Sequence, residues 1–381
     1  MTNLLESLNV LGYNKQQAES IIQIFHFTGA FDQQIKDQPL SAKKIDAILS
    51  SNLDLDQDAT NLDIAVKFNE IGQVKWRDLR KEGERQEMSA ISINNPEITE
   101  FFKVLNISQE IKPNKDCELY FVFGASEAGL INRIDFLKDN LGDEIGNKKI
   151  IFLGGKRELW PKYSGDNDFL IKSIPGENVT FDLIKKLNPN INIEDFKAKI
   201  NEFFESRKQD FIDKKIDVTK LRKEIIENFS EGIIWPTESD LERFLAQKIL
   251  KIENPKVIEG QIDPSIGRPT TETNLKAIKD DLKQDPNFSD INFETTKICF
   301  ISSQPHILRQ TKLAESLSGF INVSGSGRGC ESSLNPNNVS GLLEALLGEI
   351  NALSGIALQK NKALIKPLSV RGSELATSAS R

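Results

Sequence analysis

The chain is poor in the residues that build metal centres and disulfide scaffolds. It has two histidines, His26 and His306, and three cysteines, Cys117, Cys299 and Cys330. The cysteines lie far apart with no metal-ligand spacing, which excludes a zinc-finger pattern. An odd, scattered set points to free thiols in a reducing compartment. A histidine-rich metal site is excluded, and imidazole chemistry can rest on only two residues. Positive charge is not in excess either. Lys+Arg total 49 against 56 Asp+Glu, a formal net charge of -7. That speaks against a dedicated nucleic-acid binder, because phosphate neutralisation needs a basic surface. No apolar run approaches the roughly 20 residues of a membrane-spanning helix. The first residues, MTNLLESLNV, lack the basic start and apolar core of a secretory signal. The expectation is a soluble, cytoplasmic protein. GxxxxGK[ST], GxGxxG and GxSxG are all missing, which excludes a Walker A loop, a dinucleotide fingerprint and a hydrolase nucleophile elbow.

What is present is the composition of a globular protein, with 38% hydrophobic and 28% charged residues over 381 positions. That length suits two or three domains. Residues 1–112 read as a helical accessory region. Leu4, Leu8 and Leu11 recur at helical spacing, then Ile21, Ile22, Ile24 and Phe25, and later Phe101, Phe102 and Leu105. His26 sits among apolar neighbours there, as a structural histidine does. Residues 113–365 read as a Rossmann-like α/β domain, and 366–381 as a flexible polar tail.

The α/β assignment rests on four short apolar runs. CELYFVF at 117–123 precedes Gly124-Ala125-Ser126, and KIIFL at 149–153 precedes Gly154-Gly155. KICFI at 297–301 precedes Ser302-Ser303, and FINV at 320–323 precedes Ser324-Gly325-Ser326-Gly327. Short apolar strands alternating with helices indicate a parallel sheet buried on both faces. Ligands of such sheets bind beyond the carboxyl ends of the strands, where glycine permits close backbone approach. A Lys-, Glu- and Asp-rich stretch at about 163–232 carries Phe196, Ile200, Phe203, Phe204 and Phe211 at helical spacing. It reads as a helical insertion.

Three constellations could carry chemistry. In Ser302-Ser303-Gln304-Pro305-His306-Ile307-Leu308-Arg309, directly after a strand, a serine can cap the next helix. His306 and Arg309 then share one face of it. His306 is the candidate acid/base and Arg309 an anion binder. The bland alternative is a histidine bonded to a loop carbonyl and an arginine lying along the surface. In the second, Thr270 and Glu272 open a helix carrying Leu275, Ile278 and Leu282, and a capping box accounts for them with no ligand. In the third, Gly154-Gly155-Lys156-Arg157 places two cations after paired glycines, which suits an anion. The Ser324–Gly329 run reads as a flexible glycine-rich loop that could wrap phosphate.

In this order the pieces resemble a bacterial group, the Rossmann-like domain of unknown function found in the YdcF, SanA and ElyC proteins. Phe123-Gly124 resembles its first strand end and Leu153-Gly154-Gly155 its second. Thr237-Glu238 opens an acidic helix, Thr270-x-Glu272 resembles a Thr-x-Glu-Asn helix start, and Ser303-x-x-His306-x-x-Arg309 its last motif. Thr273 stands where the group has asparagine, with Asn274 one place later, and Gln310 replaces an alanine. The resemblance implies a doubly wound sheet binding a nucleotide-like or phosphate-bearing molecule, with S-adenosylmethionine a candidate. It also implies a link to envelope or lipid-carrier metabolism. The ligand-binding set expected on this basis is Gly124, Ser126, Gly154, Gly155, Lys156, Arg157, Thr270, Glu272, Asn274, Ser302, Ser303 and Arg309, with no metal. The competing expectation is a non-catalytic protein-interaction or secreted effector-like factor that uses its helical flanks.

Overall fold

The computed structural model describes residues 4–28, 60–76, 97–105, 109–125, 127–156, 158–159, 179–207, 209, 218–229, 231–262, 270–304 and 306–329. In the C-terminal part it describes residues 343, 346–350, 353–354 and 357. The chain forms two compact units, Met1–Gln109 with Cys330–Arg381, and Glu110–Gly329. The sequence expectation had kept residues up to 365 with the sheet. The structure groups the segment from Cys330 with the N-terminal helices instead, and a Cβ placed on Gly72 would meet Leu347 as well as Phe25.

Among its described residues the first unit is helical, with α1 (Leu4–Val10), α2 (Lys15–Phe27), α3 (Asn61–Trp76) and α4 (Glu97–Val104). Gly12 takes φ 98°, a left-handed conformation open to glycine, and turns the chain between α1 and α2. Asn14 then caps α2 through a reciprocal box with Gln17. The apolar faces meet with Phe25 stacked on Phe68 at 3.8 Å and Phe27 on Phe101 at 5.8 Å. His26 is buried within this unit.

The second unit holds a five-stranded, all-parallel sheet in the order β3-β2-β1-β4-β5. The strands are β1 (Leu119–Phe123), β2 (Lys149–Gly154), β3 (Lys256–Glu259), β4 (Ile298–Ser303) and β5 (Val323–Arg328). Helix α5 (Glu127–Leu141) joins β1 to β2. Helices α6 (Val179–Leu187), α7 (Ile193–Ser206), α8 (Val218–Phe229) and α9 (Glu238–Leu245) lie between β2 and β3. Helix α10 (Thr271–Gln284) joins β3 to β4, and α11 (Ile307–Leu317) joins β4 to β5.

One sheet face carries Tyr120, Val122, Ile150, Phe152, Cys299 and Ile301 against Leu130, Ile134 and Leu137 of α5 and Leu241 and Leu245 of α9. The alternate residues point the other way. Phe300 stacks on Phe121 at 5.0 Å and on Phe123 at 5.3 Å. Gly325, the register partner of Phe300, faces Ile307 and Thr311 of α11. Helices thus cover both faces, the doubly wound Rossmann-like arrangement expected from the sequence. The chain winds outward from β1 to β3, then returns to lay β4 beside β1. The winding reverses between β1 and β4, at the topological switch point.

The sequence and the structure differ over two strands. β3 went unrecognised, because only Val257 and Ile258 are buried in it, between Lys256 and Glu259. The Ser324–Gly327 run is strand rather than loop. Its backbone pairs with β4, and Ile111 closes its outer edge by exchanging hydrogen bonds of 2.9 and 3.0 Å with Gly327. Glycine there serves close packing: a side chain on Gly325 would collide with Thr311, and one on Gly327 with the Ser302 carbonyl.

The insertion leaves the sheet through a neck. Glu158 bridges Thr237, and the Leu159 N–H donates to Pro236 O at 2.7 Å. Beyond the neck α6, α7 and α8 share a core of Phe181, Ile184, Phe196, Ile200, Phe204, Ile225 and Trp235. Val179 and Leu183 of α6 face the sheet cluster instead, so α6 ties the insertion to the sheet. Phe211 lies outside the described residues.

Candidate functional site

Because every strand is parallel, the segments after β1, β2 and β4 emerge at one edge of the sheet. Gly124, Gly154-Gly155 and Ser302-Ser303 all lie there. Three buried polar side chains lie at this edge, two of them linking strand ends, and the reading of strands and loops had passed over two of the three.

Arg133 is the first. Its guanidinium lies across the switch point. Nη1 donates to the carbonyls of Phe123 at 2.7 Å and Gly124 at 2.8 Å, and Nη2 donates to Ser303 Oγ at 3.2 Å. It therefore ties the end of β1 to the end of β4. Burial lowers its pKa to about 10; Glu242 opposes the shift and Arg309 of α11 adds to it. Arg133 keeps its charge at neutral pH. Asn274 is the second. Its Nδ2 donates to Leu153 O at 3.1 Å, and its Oδ1 accepts from Gly260 N–H at 2.9 Å. This links the ends of β2 and β3.

Glu242 of α9 is the third. It is fully buried, and neither carboxyl oxygen has a hydrogen-bond partner. Its Oε1 lies 3.0 Å from where a Cβ on Gly124 would stand, and a Cβ on Gly154 would collide with Oε2 and with Ser239 Oγ. The two glycines make room for this carboxyl group. Burial pushes its pKa well above the usual carboxylate range, toward the neutral acid. Glu238 and Glu259 add to the shift, and Arg243 and Arg133 oppose it.

The remaining predicted residues divide. Gly155 is buried, and its carbonyl accepts from Ser239 N–H and Oγ, each at 3.2 Å, so the paired glycines seat the start of α9. Ser302 bonds Gln310 through their side chains, and Ser303 accepts from Arg133. Neither serine caps α11. His306 occupies the N-cap without a side-chain cap bond, half-buried, its N–H donating to Ser303 O at 2.9 Å. Arg309 follows one turn later, half-buried. Thr270 caps α10 in a box whose partner is Thr273, not Glu272. Glu272 pairs along the helix with Lys276 at 2.6 Å. Lys156 is exposed and lies 3.7 Å from Glu259, which also pairs with Arg243 at 3.0 Å. Ser126 and Arg157 lie outside the described residues. The structure thus gathers Gly124, Gly154, Gly155, Asn274, Ser302, Ser303 and Arg309 at or beside one edge, and turns Glu272 and Lys156 to surface ion pairs. Among the described residues no three His, Cys, Asp or Glu side chains gather as a metal site, and no helix is long and apolar enough to cross a membrane.

A signal for the missed residues was present. Arg133 interrupts the apolar face Leu130, Ile134, Leu137, and Glu242 sits between Leu241 and Leu245 on the inner face of α9. A charge inside an apolar stripe is either paired or functional. No family model, curated protein or solved structure matches this chain.

Proposed function

We propose that the protein binds a small anionic, phosphate-bearing or nucleotide-like molecule at the switch point between β1 and β4, and acts on it as an enzyme. The observation that carries this reading is the buried guanidinium of Arg133 across the ends of β1 and β4, with Arg309 half-buried in the first turns of α11. Two cations at one sheet edge suit an anionic ligand. The first turn of α11 starts at the same place, and N–H groups at a helix start favour negative charge. His306, at the N-cap, is the group placed for acid/base work on such a ligand. The ordered motifs that resemble the YdcF, SanA and ElyC domain support a nucleotide-like ligand; S-adenosylmethionine, a cation overall, would meet the arginines only through its carboxylate.

Titration calorimetry and thermal shift with AMP, S-adenosylmethionine and a sugar phosphate test the reading. Arg309→Ala is expected to weaken binding at least about tenfold, the effect of one charge-assisted contact. His306→Ala is expected to abolish turnover, with a melting temperature close to wild type in both variants. Binding untouched by either substitution, or no binding of any of these ligands, overturns it.

A further inference from the structure

Two of the three cysteines meet near the amino ends of the strands, at the edge opposite the switch point. Cys117 stands just before β1 and Cys299 is the second residue of β4. Both are free, buried, and packed in the cluster on the sheet face that carries Tyr120 and Val122. Cys117 Sγ lies 3.8 Å from Ser324 Oγ, and Cys299 Sγ lies 3.1 Å from Ser326 Oγ. Ser324 is the register partner of Cys299. Its hydroxyl is within hydrogen-bonding reach of both thiols, and the thiols are within that reach of each other.

Local structure holds them there. The Cys117 N–H closes a turn on Asn114 O at 3.1 Å, and Tyr120 Oη donates to the same carbonyl at 2.9 Å. The Glu118 N–H then donates to Lys297 O at 3.0 Å, which sets the turn against the start of β4. A single core cysteine behaves as a small apolar residue and is inert. Two thiols brought together from remote segments have a further chemistry, joint oxidation.

The two are not equivalent. Cys117 sits on a turn whose Lys115 and Asp116 are exposed. Lys148 Nζ donates to the carbonyls of Lys115 at 2.7 Å and Cys117 at 3.2 Å, so an ammonium stands beside that residue. A neighbouring cation favours the thiolate, the reactive form. Cys299 lies within β4, between β1 and β5. We propose that Cys117 and Cys299 are a modification site, at which a hydroperoxide converts the pair to an intramolecular disulfide. The Cys117 sulfur attacks one peroxide oxygen, the O–O bond breaks, and hydrogen peroxide leaves as one water and a sulfenic acid. The Cys299 sulfur then attacks the Cys117 sulfur and expels the hydroxyl as a second water. Two electrons pass from the thiols to the peroxide. The new bond joins the turn that leads into β1 to β4, the two strands whose carboxyl ends flank the switch point. This inference stands apart from the anion-binding reading.

The test uses the full chain carrying Cys330→Ser, which leaves these two thiols alone. Folded protein is treated with a slight excess of hydrogen peroxide, then denatured, alkylated with iodoacetamide and digested for mass spectrometry. The expected product has lost two hydrogens, takes up no label, and links the Cys117 and Cys299 peptides; dithiothreitol restores both thiols. With Cys299→Ser added, Cys117 should stop at the sulfenic acid and be trapped by dimedone. With Cys117→Ser added instead, Cys299 should remain alkylatable. Linkage should also form faster in folded protein than in the same chain unfolded in urea. Full alkylation of both cysteines after peroxide, unlinked sulfinic or sulfonic acids, links only between chains, or linkage only in urea would each overturn the proposal.

Discussion

At the residue scale, the glycines after β1 and β2 carry a different burden from the one their pattern suggested. Glycine at a strand end is read as room for a ligand, yet the space beside Gly124 and Gly154 belongs to the Glu242 carboxyl group. A spacing rule sees two glycines but not the side chain, far along the chain, that needs them small. The buried acid also makes stability depend on pH, and the sign can be worked out. In the unfolded chain Glu242 ionises near 4.5, whereas in the folded chain its pKa lies well above that. Between the two values the native state holds one more proton than the unfolded state, so stability falls as pH rises through that window. Wild type should therefore lose more melting temperature than Glu242→Gln between about pH 5 and about pH 8. Parallel pH profiles of the two proteins would show that the acid is not held neutral.

At the element scale, strands with continuous apolar runs were legible and the others were not. β1, β2 and β4 are buried along nearly their whole length, and that burial writes itself into the sequence as Leu, Ile, Phe and Val. β3 and β5 lie at the sheet edges, where less of a strand needs an apolar side chain, so KVIE and VSGSGR carry a weak signal. The helical insertion was legible as periodicity, and Phe196, Ile200 and Phe204 are its buried stripe. That the insertion has a core of its own was not visible, because the core needs Trp235 and Ile225 brought from other segments. This gives an element-level expectation. Phe196→Ala should cost about 3–5 kcal/mol locally, the usual loss for a buried Phe. Hydrogen exchange should speed up in α7 and α8 while amides of β1, β2 and β4 keep their protection. Equal loss of protection in the sheet would mean that the insertion and the sheet unfold as one.

At the scale of the whole molecule, the division at Glu110 and Gly329 predicts that residues 110–329 fold alone. The fragment keeps Ile111, which closes the edge of β5, and both clusters of apolar side chains. It should unfold cooperatively in urea. A fragment that binds hydrophobic dye and unfolds without a transition would refute the independence of this unit. What the sequence alone determined is the α/β class, the parallel central strands and the edge at which their loops emerge. These follow from local runs of apolar and β-rich residues, and a parallel, doubly covered sheet needs no more than that to be recognised. Tertiary structure alone decided the edge strands, the grouping of the C-terminal segment with the N-terminal helices, and the arrival of Arg133 and Glu242 at the same sheet edge. Each depends on contacts between residues remote in the chain. A buried charge discloses its purpose only when the groups packed around it are known, since those neighbours set whether it is paired, neutral or left facing a ligand.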